Sequence, residues 1–329
     1  MTTRHPTIVI TRRLAPGIVE GLAESCQVRQ HDSDVPMSRA ALLDSAAGSG
    51  ALLSTLADVV DSELLDAAGP GLRIVATHAV GFHNIDIPAC TARGVIVTNT
   101  PDVLTDATAD LAWALLLAAA RRVGEGERWI RAGKPWQWAP TFLLGRELRG
   151  ATLGIIGLGR IGRAVARRGV GFGMTITYHN RQPVPPRLLD GLPARYSDLP
   201  ALLADSDVIC LCCPLTEQTR HLLDATALKQ MRASAILVNI AAGGIVDENA
   251  LADALDASEI FAAALDGYEH EPEVHPRLIT HERVVLAPHL GSATEQTRHA
   301  MGLLAARNIL AVLTGHPPLT PVPARTVEA

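Results

Sequence analysis

The sequence predicts an α/β protein in which short strands alternate with helices in two successive series. The first series runs from residue 7 to residue 98, and the second begins at residue 152. Alternation of this kind builds parallel sheets whose crossover connections are helices. A glycine-rich turn, Gly157-x-Gly159-x-x-Gly162, follows the first strand of the second series. With 329 residues, the chain is long enough for two α/β domains and too long for one compact core.

The first series consists of short apolar runs separated by segments with helical spacing. Strands are expected at residues 7–11, 51–54, 73–77 and 95–98. Apolar residues at helical spacing predict helices at residues 15–23 and 62–68. A longer helix is expected at residues 105–121, because Pro101 and Asp102 are typical of the segment before a helix. A tryptophan-rich loop is expected at residues 129–145.

The second series predicts a doubly wound parallel sheet with helices on both faces. Its strands are expected at residues 152–157, 175–179, 208–212, 236–239, 260–265 and 283–286. After the last strand, apolar residues such as Met301, Leu304 and Ile309 recur at helical spacing. They predict a final helix at residues 293–313.

The composition describes an ordinary globular protein. Hydrophobic residues make up 48% of the chain, charged residues 19%, and the formal net charge is −5. This composition has no excess of basic residues, which binding to nucleic acids or anionic membranes would require. The longest apolar run, residues 111–120, is shorter than the roughly 20 residues of a membrane span, and no signal peptide is visible. We therefore expect a cytoplasmic protein that binds neither nucleic acid nor membrane.

Each glycine of the turn has a separate structural reason. Gly157 permits the tight turn from strand to helix, Gly159 lets a diphosphate approach the backbone, and Gly162 lets the helix pack closely on the strand. The N-terminus of the following helix supplies N–H groups and a partial positive charge for the diphosphate. A glycine-rich turn alone is weak evidence, but the strand before it and the helix after it predict a dinucleotide site.

The residues after the second strand of this series bear on the choice of dinucleotide. A carboxylate at this position would bind the ribose 2′-hydroxyl of NAD and repel the 2′-phosphate of NADP. Here the strand is followed by Asn180 and Arg181. The residues therefore predict NADP(H) as the preferred cofactor, with NAD(H) as the alternative. Arg181 as an ordinary solvated loop residue is the competing interpretation.

Several further segments occur in an order that identifies a family. Residues 238–247 read VNIAAGGIVD, residues 263–272 read AALDGYEHEP and residues 287–294 read APHLGSAT. Earlier in the chain, residues 80–86 read VGFHNID, residues 92–101 read ARGVIVTNTP and residues 104–112 read LTDATADLA. With the glycine-rich turn, these segments resemble the D-isomer-specific 2-hydroxyacid dehydrogenase family, most closely its glyoxylate/hydroxypyruvate reductase branch.

The resemblance covers nearly the whole chain and refines the expected architecture. It implies two Rossmann-like or flavodoxin-like domains with doubly wound parallel sheets. The NAD(P)-binding domain, residues 100–289, would be inserted in a discontinuous substrate-binding domain, residues 1–99 and 290–329. The implied activity is NAD(P)H-dependent reduction of a small 2-keto acid to the D-2-hydroxy acid.

The resemblance implies a catalytic histidine at His289 and a partner carboxylate at Glu271. Reduction of a 2-keto acid requires a hydride on C2 and a proton on the carbonyl oxygen, which a histidinium can provide near neutral pH. A neighbouring carboxylate raises the pKa of an imidazole and fixes its orientation. A capping or core histidine is the alternative, but Pro288 and Gly291 around His289 at a strand end favour catalysis.

One position departs from the family pattern. The family has an arginine that binds the substrate carboxylate and polarises the carbonyl, whereas this chain has Ala242. The chain is either an engineered variant of an active enzyme or a natural member with altered or lost function. Intact Glu271, His289 and glycines favour engineering. We expect impaired turnover, with a loss of about 3–5 kcal/mol of transition-state stabilisation.

The resemblance also implies further contacts with cofactor and substrate. Backbone N–H groups at Val80 and Gly81 would hold the substrate carboxylate, and the branch is expected to form a homodimer. Trp138 resembles an aromatic residue lent to the neighbouring subunit's active site; a tryptophan of the core or dimer interface is the alternative. Further cofactor contacts are expected at four positions: Arg160, Ile161, Pro214 and Asp266.

One cluster imitates a metal site. Glutamate and histidine side chains are concentrated at residues 269–275, but Pro272 and Pro276 preclude the helix that would place histidine and glutamate on one face. We therefore expect no metal. A function of a different class remains as the alternative, namely a non-catalytic NAD(P)-sensing protein that resembles a corepressor, and Ala242 is its main support.

Overall fold

The chain divides into two compact units. The computed structural model describes residues 5–323. The first unit combines residues up to Leu104 with residues from Ala293 onward, and the second is the continuous segment Thr105–Ser292. The domain limits expected from the sequence, after residues 99 and 289, lie within five residues of these divisions and stay a prediction.

The first unit contains a parallel five-stranded sheet. Its strands are β1 (Thr7–Ile10), β2 (Gln27–Gln30), β3 (Ala51–Ser54), β4 (Ile74–Thr77) and β5 (Ile96–Thr98). Their order is β2-β1-β3-β4-β5, and every neighbouring pair is parallel. In register, Ile8 lies opposite Val28 on one side and Ala51 on the other.

The second unit contains a parallel seven-stranded sheet. Its strands are β6 (Thr152–Ile156), β7 (Thr175–His179), β8 (Ala194–Tyr196), β9 (Val208–Leu211), β10 (Ile236–Asn239), β11 (Ala262–Leu265) and β12 (Val284–Leu286). The order is β12-β11-β10-β9-β6-β7-β8, with parallel pairs throughout. The strand order reverses between β6 and β9. Ligands of such sheets bind at the carboxyl ends of the strands beside the reversal.

Helices connect the strands in both units. In chain order they are α1 (Ile18–Ala23), α2 (Arg39–Ala46), α3 (Ser62–Ala68), α4 (Ile87–Ala92), α5 (Thr105–Ala120), α6 (Val123–Arg131), α7 (Arg160–Gly171), α8 (Pro186–Leu189), α9 (Leu199–Asp205), α10 (Ala225–Gln230), α11 (Glu248–Asp256), α12 (Pro276–Thr280) and α13 (Glu295–Leu313). A short 3₁₀ helix spans Gly243–Ile245. None of the helices within residues 5–323 has both the length and the hydrophobicity needed to cross a membrane.

Short polar side chains determine where several helices begin. The side chains of Asp61, Asp198, Asp247 and Thr294 each accept a backbone N–H from the first turn of α3, α9, α11 and α13. These N–H groups have no partner within a helix, so a side-chain acceptor just before the helix satisfies them.

The first sheet has a hydrophobic core on each face. Ile8 and Ile10 of β1 cluster with residues of α1 and α13, whereas Val9 between them clusters with residues of α2 and α3. This division follows from the alternation of side chains along a strand. Although α13 is distant in sequence, its Ala305 and Ile309 complete the core on one face.

The second sheet is covered in the same way. Leu153 and Ile155 of β6 cluster with α5 and α7, and Ile156 clusters on the opposite face with residues of α9, α10 and α11. Trp113 of α5 donates its indole N–H to a carbonyl of α7 at 3.0 Å. Each fully buried isoleucine or leucine contributes about 1.5–3 kcal/mol, so both faces stabilise the strands that carry the glycine-rich turn.

Some elements were absent from the sequence prediction or differ from it. The strands β2 and β8 are both edge strands, and β2 reads Gln-Val-Arg-Gln, without an apolar run. The helices α2 and α4 were also missed. The loop expected from residue 129 begins later, because Trp129 lies within α6.

Candidate active site

The turn after β6 requires glycine at its first position. Gly157 has a φ of +98°, and a Cβ there would lie 2.5 Å from the backbone nitrogen of Cys213. Its N–H donates to the carbonyl of His179 at 2.9 Å, which ties the turn to the end of β7. The fold of the second unit itself therefore explains Gly157.

Gly159 is different, because the protein alone does not require glycine there. A Cβ on Gly159 would meet no described atom within 4 Å, and Gly159 caps the N-terminus of α7. A Cβ on Gly162 would overlap the carbonyl of Gly157, so helix and turn pack without space between them. Open space before a helix N-terminus is what a diphosphate requires, and these residues fit a dinucleotide. Of the two other expected contacts in this loop, Arg160 is exposed and Ile161 is half-buried.

The residue after β7 has a structural task that the sequence did not indicate. Asn180 Oδ1 accepts the N–H of Leu158 at 2.7 Å and thereby fixes the glycine-rich turn. Arg181, next in the chain, is exposed. Pro214, after β9, is also exposed, and its carbonyl accepts a hydrogen bond from the Thr219 hydroxyl at 2.7 Å. Contact of Asn180, Arg181 and Pro214 with a cofactor stays a prediction.

His289 and Glu271 form a close pair. His289 Nδ1 lies 3.0 Å from Oε2 and 3.1 Å from Oε1 of Glu271. Both side chains are partly accessible, with exposures of 43% for His289 and 36% for Glu271. A histidine held at Nδ1 by a carboxylate has a defined ring orientation, as a general acid requires.

The Glu271 carboxylate is held in turn by its own loop. Its Oε1 accepts the N–H of Tyr268 at 3.0 Å. The Tyr268 hydroxyl donates to the carbonyl of Ala287 at 2.8 Å, so the loop after β11 is joined to the segment after β12. Burial raises the pKa of Tyr268 to about 12, which keeps the hydroxyl protonated as a donor.

Asp266 anchors the turn that carries His289. Its buried carboxylate accepts the N–H of Leu290 at 2.6 Å and that of Gly291 at 2.8 Å. Burial raises the pKa of Asp266, although these two N–H donors oppose the change. Contact of Asp266 with the cofactor, which the resemblance implies, stays a prediction, and no local sequence pattern indicated the anchoring contacts.

Ala242 lies at the junction between β10 and the 3₁₀ helix. Its carbonyl accepts the side-chain N–H of Asn239 at 3.3 Å. Gly243, the next residue, packs so tightly that a Cβ there would overlap the backbone of Tyr268 and Glu269. Position 242 is therefore adjacent in sequence to a residue that touches the Glu271 loop. The methyl group of Ala242 supplies neither charge nor hydrogen-bond donor.

The substrate residues expected near the end of β4 belong to the first unit. Val80 is half-buried and Gly81 is exposed. The side chain of Asn99 donates to the carbonyl of Val80 at 2.9 Å, which fixes the loop. Their binding of a substrate carboxylate stays a prediction.

Trp138 does not belong to the core of its own chain. It is 84% exposed, and large apolar side chains near it in sequence, Ile130, Trp136 and Leu144, are each more than half exposed. The core interpretation of Trp138 is therefore wrong. Exposed apolar residues at this density are typical of an interaction surface, and the homodimer stays a prediction.

The cluster at residues 269–275 forms no compact metal site. Among residues 5–323, no group of three or more histidine, cysteine, aspartate or glutamate side chains is arranged to hold a metal ion. A helix does begin at Pro276, with His275 as its cap, because proline suits the first turn of a helix. This helix begins after the cluster, so it does not place the glutamate and histidine side chains on one face.

Known proteins resemble the chain over nearly its full length. The family model described as "D-isomer specific 2-hydroxyacid dehydrogenase, NAD binding domain" matches residues 113–291. A glyoxylate reductase of Thermococcus onnurineus is 45% identical over 320 residues, which are 96% of this chain and 95% of the relative. A crystal structure of a protein from Thermus thermophilus has a TM-score of 0.90 and 42% identity, covering 96% of this chain and 100% of that chain. An NADPH-dependent glyoxylate/hydroxypyruvate reductase from Sinorhizobium meliloti, solved with NADP and malonate, has a TM-score of 0.83 and 33% identity over 97% of both chains.

Proposed function

Because the chain belongs to the D-isomer-specific 2-hydroxyacid dehydrogenase family of NAD(P)-dependent enzymes, we propose that it reduces glyoxylate, hydroxypyruvate or a similar small 2-keto acid to the D-2-hydroxy acid. The family match confirms the resemblance found in the sequence. The observation that carries the proposal is the His289–Glu271 pair, with Nδ1 3.0 Å from the carboxylate. The names of the Thermococcus and Sinorhizobium relatives support the substrate class.

The second unit is the cofactor domain in this proposal. Gly157 shapes the turn, the space beside Gly159 accepts the diphosphate, and the N-terminus of α7 faces its charge. Arg181 would bind the 2′-phosphate, so NADP(H) is preferred over NAD(H); the NADP complex of the Sinorhizobium relative supports this choice. When bound, the reduced nicotinamide would supply the hydride that C2 of the keto acid takes up.

His289 is the proton donor of the proposed reaction. With Nδ1 directed to Glu271, the protonated ring delivers its proton from Nε2 to the carbonyl oxygen of the keto acid. Glu271 stabilises the imidazolium before this transfer and holds the ring in one orientation. After the transfer, the neutral ring takes up a proton from solvent, which its partial exposure permits.

The carboxylate of the keto acid would be bound by backbone N–H groups of Val80 and Gly81. Ala242 supplies no cation to this carboxylate and no donor to the carbonyl oxygen. The developing negative charge on that oxygen is therefore less stabilised than it would be beside a guanidinium. We expect the chain to bind NADP(H) well and to turn over 2-keto acids slowly.

Turnover of this chain and its Ala242→Arg variant tests the proposal. NADPH oxidation would be followed with glyoxylate, hydroxypyruvate and pyruvate. A recovery of about 3–5 kcal/mol corresponds to an increase in kcat/KM of roughly 100-fold or more in Ala242→Arg. Ala242→Gln is the matched control, because it adds length and hydrogen-bonding capacity without charge, and it should stay slow. Equal rates for Ala242→Arg and the parent chain would contradict the assigned role of position 242.

A non-catalytic NAD(P)-sensing function, resembling a corepressor, is the second candidate. Ala242 is the observation in its favour, and the retained His289–Glu271 pair argues against it. Tight NADPH binding without oxidation by any of the three acids, in both the parent chain and Ala242→Arg, would favour this candidate.

A homodimer in the cytoplasm completes the proposal. The exposed apolar residues around Trp138 would be covered by the second subunit, where the indole would approach the partner's site. Sedimentation of the parent chain and of Trp138→Ser gives the oligomeric state. A monomeric parent chain would contradict the dimer.

A further inference from the structure

A second histidine–glutamate pair uses a carboxylate of the same loop as the first. His221 Nε2 is 2.5 Å from Oε1 of Glu269. Glu269 precedes Glu271 by two residues, and its side chain is only 13% exposed. A short contact to a largely buried carboxylate restricts both side chains, since few other positions would satisfy that carboxylate.

A buried glutamate holds the backbone at the same residue. The Glu248 carboxylate, at the start of α11, accepts the N–H of Glu269 at 2.9 Å. Glu248 is only 5% exposed, and burial raises its pKa. Glu269 is therefore fixed through its side chain by His221 and through its main chain by Glu248.

His221 itself is held in a backbone conformation that non-glycine residues rarely adopt. Its φ is +49°, and its N–H donates to the carbonyl of Gly244 at 2.9 Å. Such a conformation persists where the surroundings determine it, and these residues frequently serve a function. The contact also links His221 to the 3₁₀ helix that follows Ala242.

The neighbouring contacts extend from Glu269 to the catalytic pair. Gly243 packs against the peptide between Tyr268 and Glu269, and the Tyr268 N–H donates to Glu271 Oε1 at 3.0 Å. A displacement of that peptide would move the donor that orients Glu271. We propose that His221, Glu269 and Glu248 form a positioning network that holds Glu271 against His289, an inference that rests on the proposed function.

Proton titration of His289 by NMR tests the network without requiring turnover. The parent chain would be compared with His221→Asn, Glu269→Gln and the double variant. If the His221–Glu269 pair acts by positioning Glu271, then Glu271 loses its alignment in each variant and the pKa of His289 falls in all three. If the pair acts only through charge, His221→Asn leaves a bare carboxylate and raises that pKa, whereas Glu269→Gln lowers it. Opposite shifts would overturn the proposal.

A matched histidine controls for the substitution itself. His270 lies between the two glutamates and is exposed, so His270→Asn should leave the His289 titration unchanged. Glu269→Gln conserves volume, and it remains informative if His221→Asn fails to fold. An unchanged His289 pKa in folded Glu269→Gln would overturn the proposal.

Turnover supplies a second readout in the Ala242→Arg background. There, Glu269→Gln should lower kcat by about 10-fold to 100-fold while the KM for NADPH stays constant, because only the acid is misplaced. If the Ala242→Arg enzyme is inactive, the proposed function fails, but the His289 titration still decides the network. An equal loss of kcat and NADPH affinity would indicate a merely structural role and overturn the assignment.

Discussion

Asp266 and His289 are joined through the main chain. The N–H of His289 donates to the carbonyl of Asp266 at 3.0 Å, and the Asp266 carboxylate accepts the next two N–H groups. This arrangement holds His289 at a φ of +54°, in the left-handed region. The end of β11 thus determines the backbone of the proposed acid after β12.

Substitution of Asp266 should release this turn. In Asp266→Ala the N–H groups of Leu290 and Gly291 lose their acceptors, and each unsatisfied donor costs about 1–3 kcal/mol of unfolding free energy if it stays buried. Asp266→Asn retains one acceptor oxygen and should lose less. Urea unfolding measures both variants. Equal stability of the two variants and the parent chain would show that the turn does not depend on the carboxylate.

Substitution of Gly157 should affect folding, whereas substitution of Gly159 should affect cofactor binding. Gly157→Ala places a Cβ 2.5 Å from the Cys213 backbone at a φ of +98°, so the thermal midpoint should fall markedly. Gly159→Ala meets no described atom within 4 Å and should leave the thermal midpoint unchanged. It should nevertheless weaken NADPH binding by about 10-fold or more, measured by fluorescence titration, because the diphosphate needs that space. Undiminished NADPH affinity in Gly159→Ala would show that the diphosphate does not bind beside Gly159.

Arg181 should determine cofactor preference. Arg181→Asp places a carboxylate after β7, which would bind the 2′-hydroxyl of NADH and repel the 2′-phosphate of NADPH. The Kd for NADPH should rise relative to the Kd for NADH by about 10-fold to 100-fold. Arg149→Asp is the control, since Arg149 is also exposed but precedes β6 at the opposite end of the sheet. A shift of equal size in Arg149→Asp would indicate a general charge effect.

His78 should make the first unit sensitive to acid. Burial lowers the pKa of His78 from its ordinary 6.5 to about 4, and its Nε2 lies 3.1 Å from the Arg298 carbonyl. The unfolded chain takes up the proton below about pH 6.5 while the folded protein resists it. The contribution of neutral His78 to the free energy of unfolding is therefore fully present above pH 6.5. It falls by roughly 3 kcal/mol as the pH falls toward 4.

Urea unfolding at several pH values measures this dependence. His78→Gln retains a hydrogen-bond donor without titrating, so its stability should fall less between pH 6.5 and 4. His316→Gln, at an exposed position, should follow the parent chain. Parallel curves for His78→Gln and the parent would mean that other groups produce the acid sensitivity.

The dinucleotide turn could be predicted because its determinants are local. The spacing of Gly157, Gly159 and Gly162, with an apolar strand before them, is complete within a few residues. The buried strands were also predictable, since every residue of β3 and β4 is buried and all but the last residue of each is apolar. Edge strand β2 lies on the sheet margin and has one apolar residue, Val28, that packs on the core, which is too little to form an apolar run.

The contacts that hold the site were not predictable in this way. Asp266 reaches Leu290 and Gly291 only because β11 and β12 are adjacent, and His221 reaches Glu269 from a separate loop. Neither pairing has a signal in local spacing or periodicity. Conversely, the resemblance suggested residues such as Trp138 without showing their surroundings, and its high exposure excluded the core alternative.

The late helix α13 has a consequence for biosynthesis. Residues of the second unit all leave the ribosome before α13, so that unit can close its core while the first sheet still lacks Ala305 and Ile309. We therefore expect the nascent chain to carry a folded nucleotide unit and an N-terminal sheet whose apolar face is covered only by α1, a state of exposed hydrophobic surface that chaperones recognise. The first hundred residues are thus synthesised first, but we expect their sheet to complete its core last.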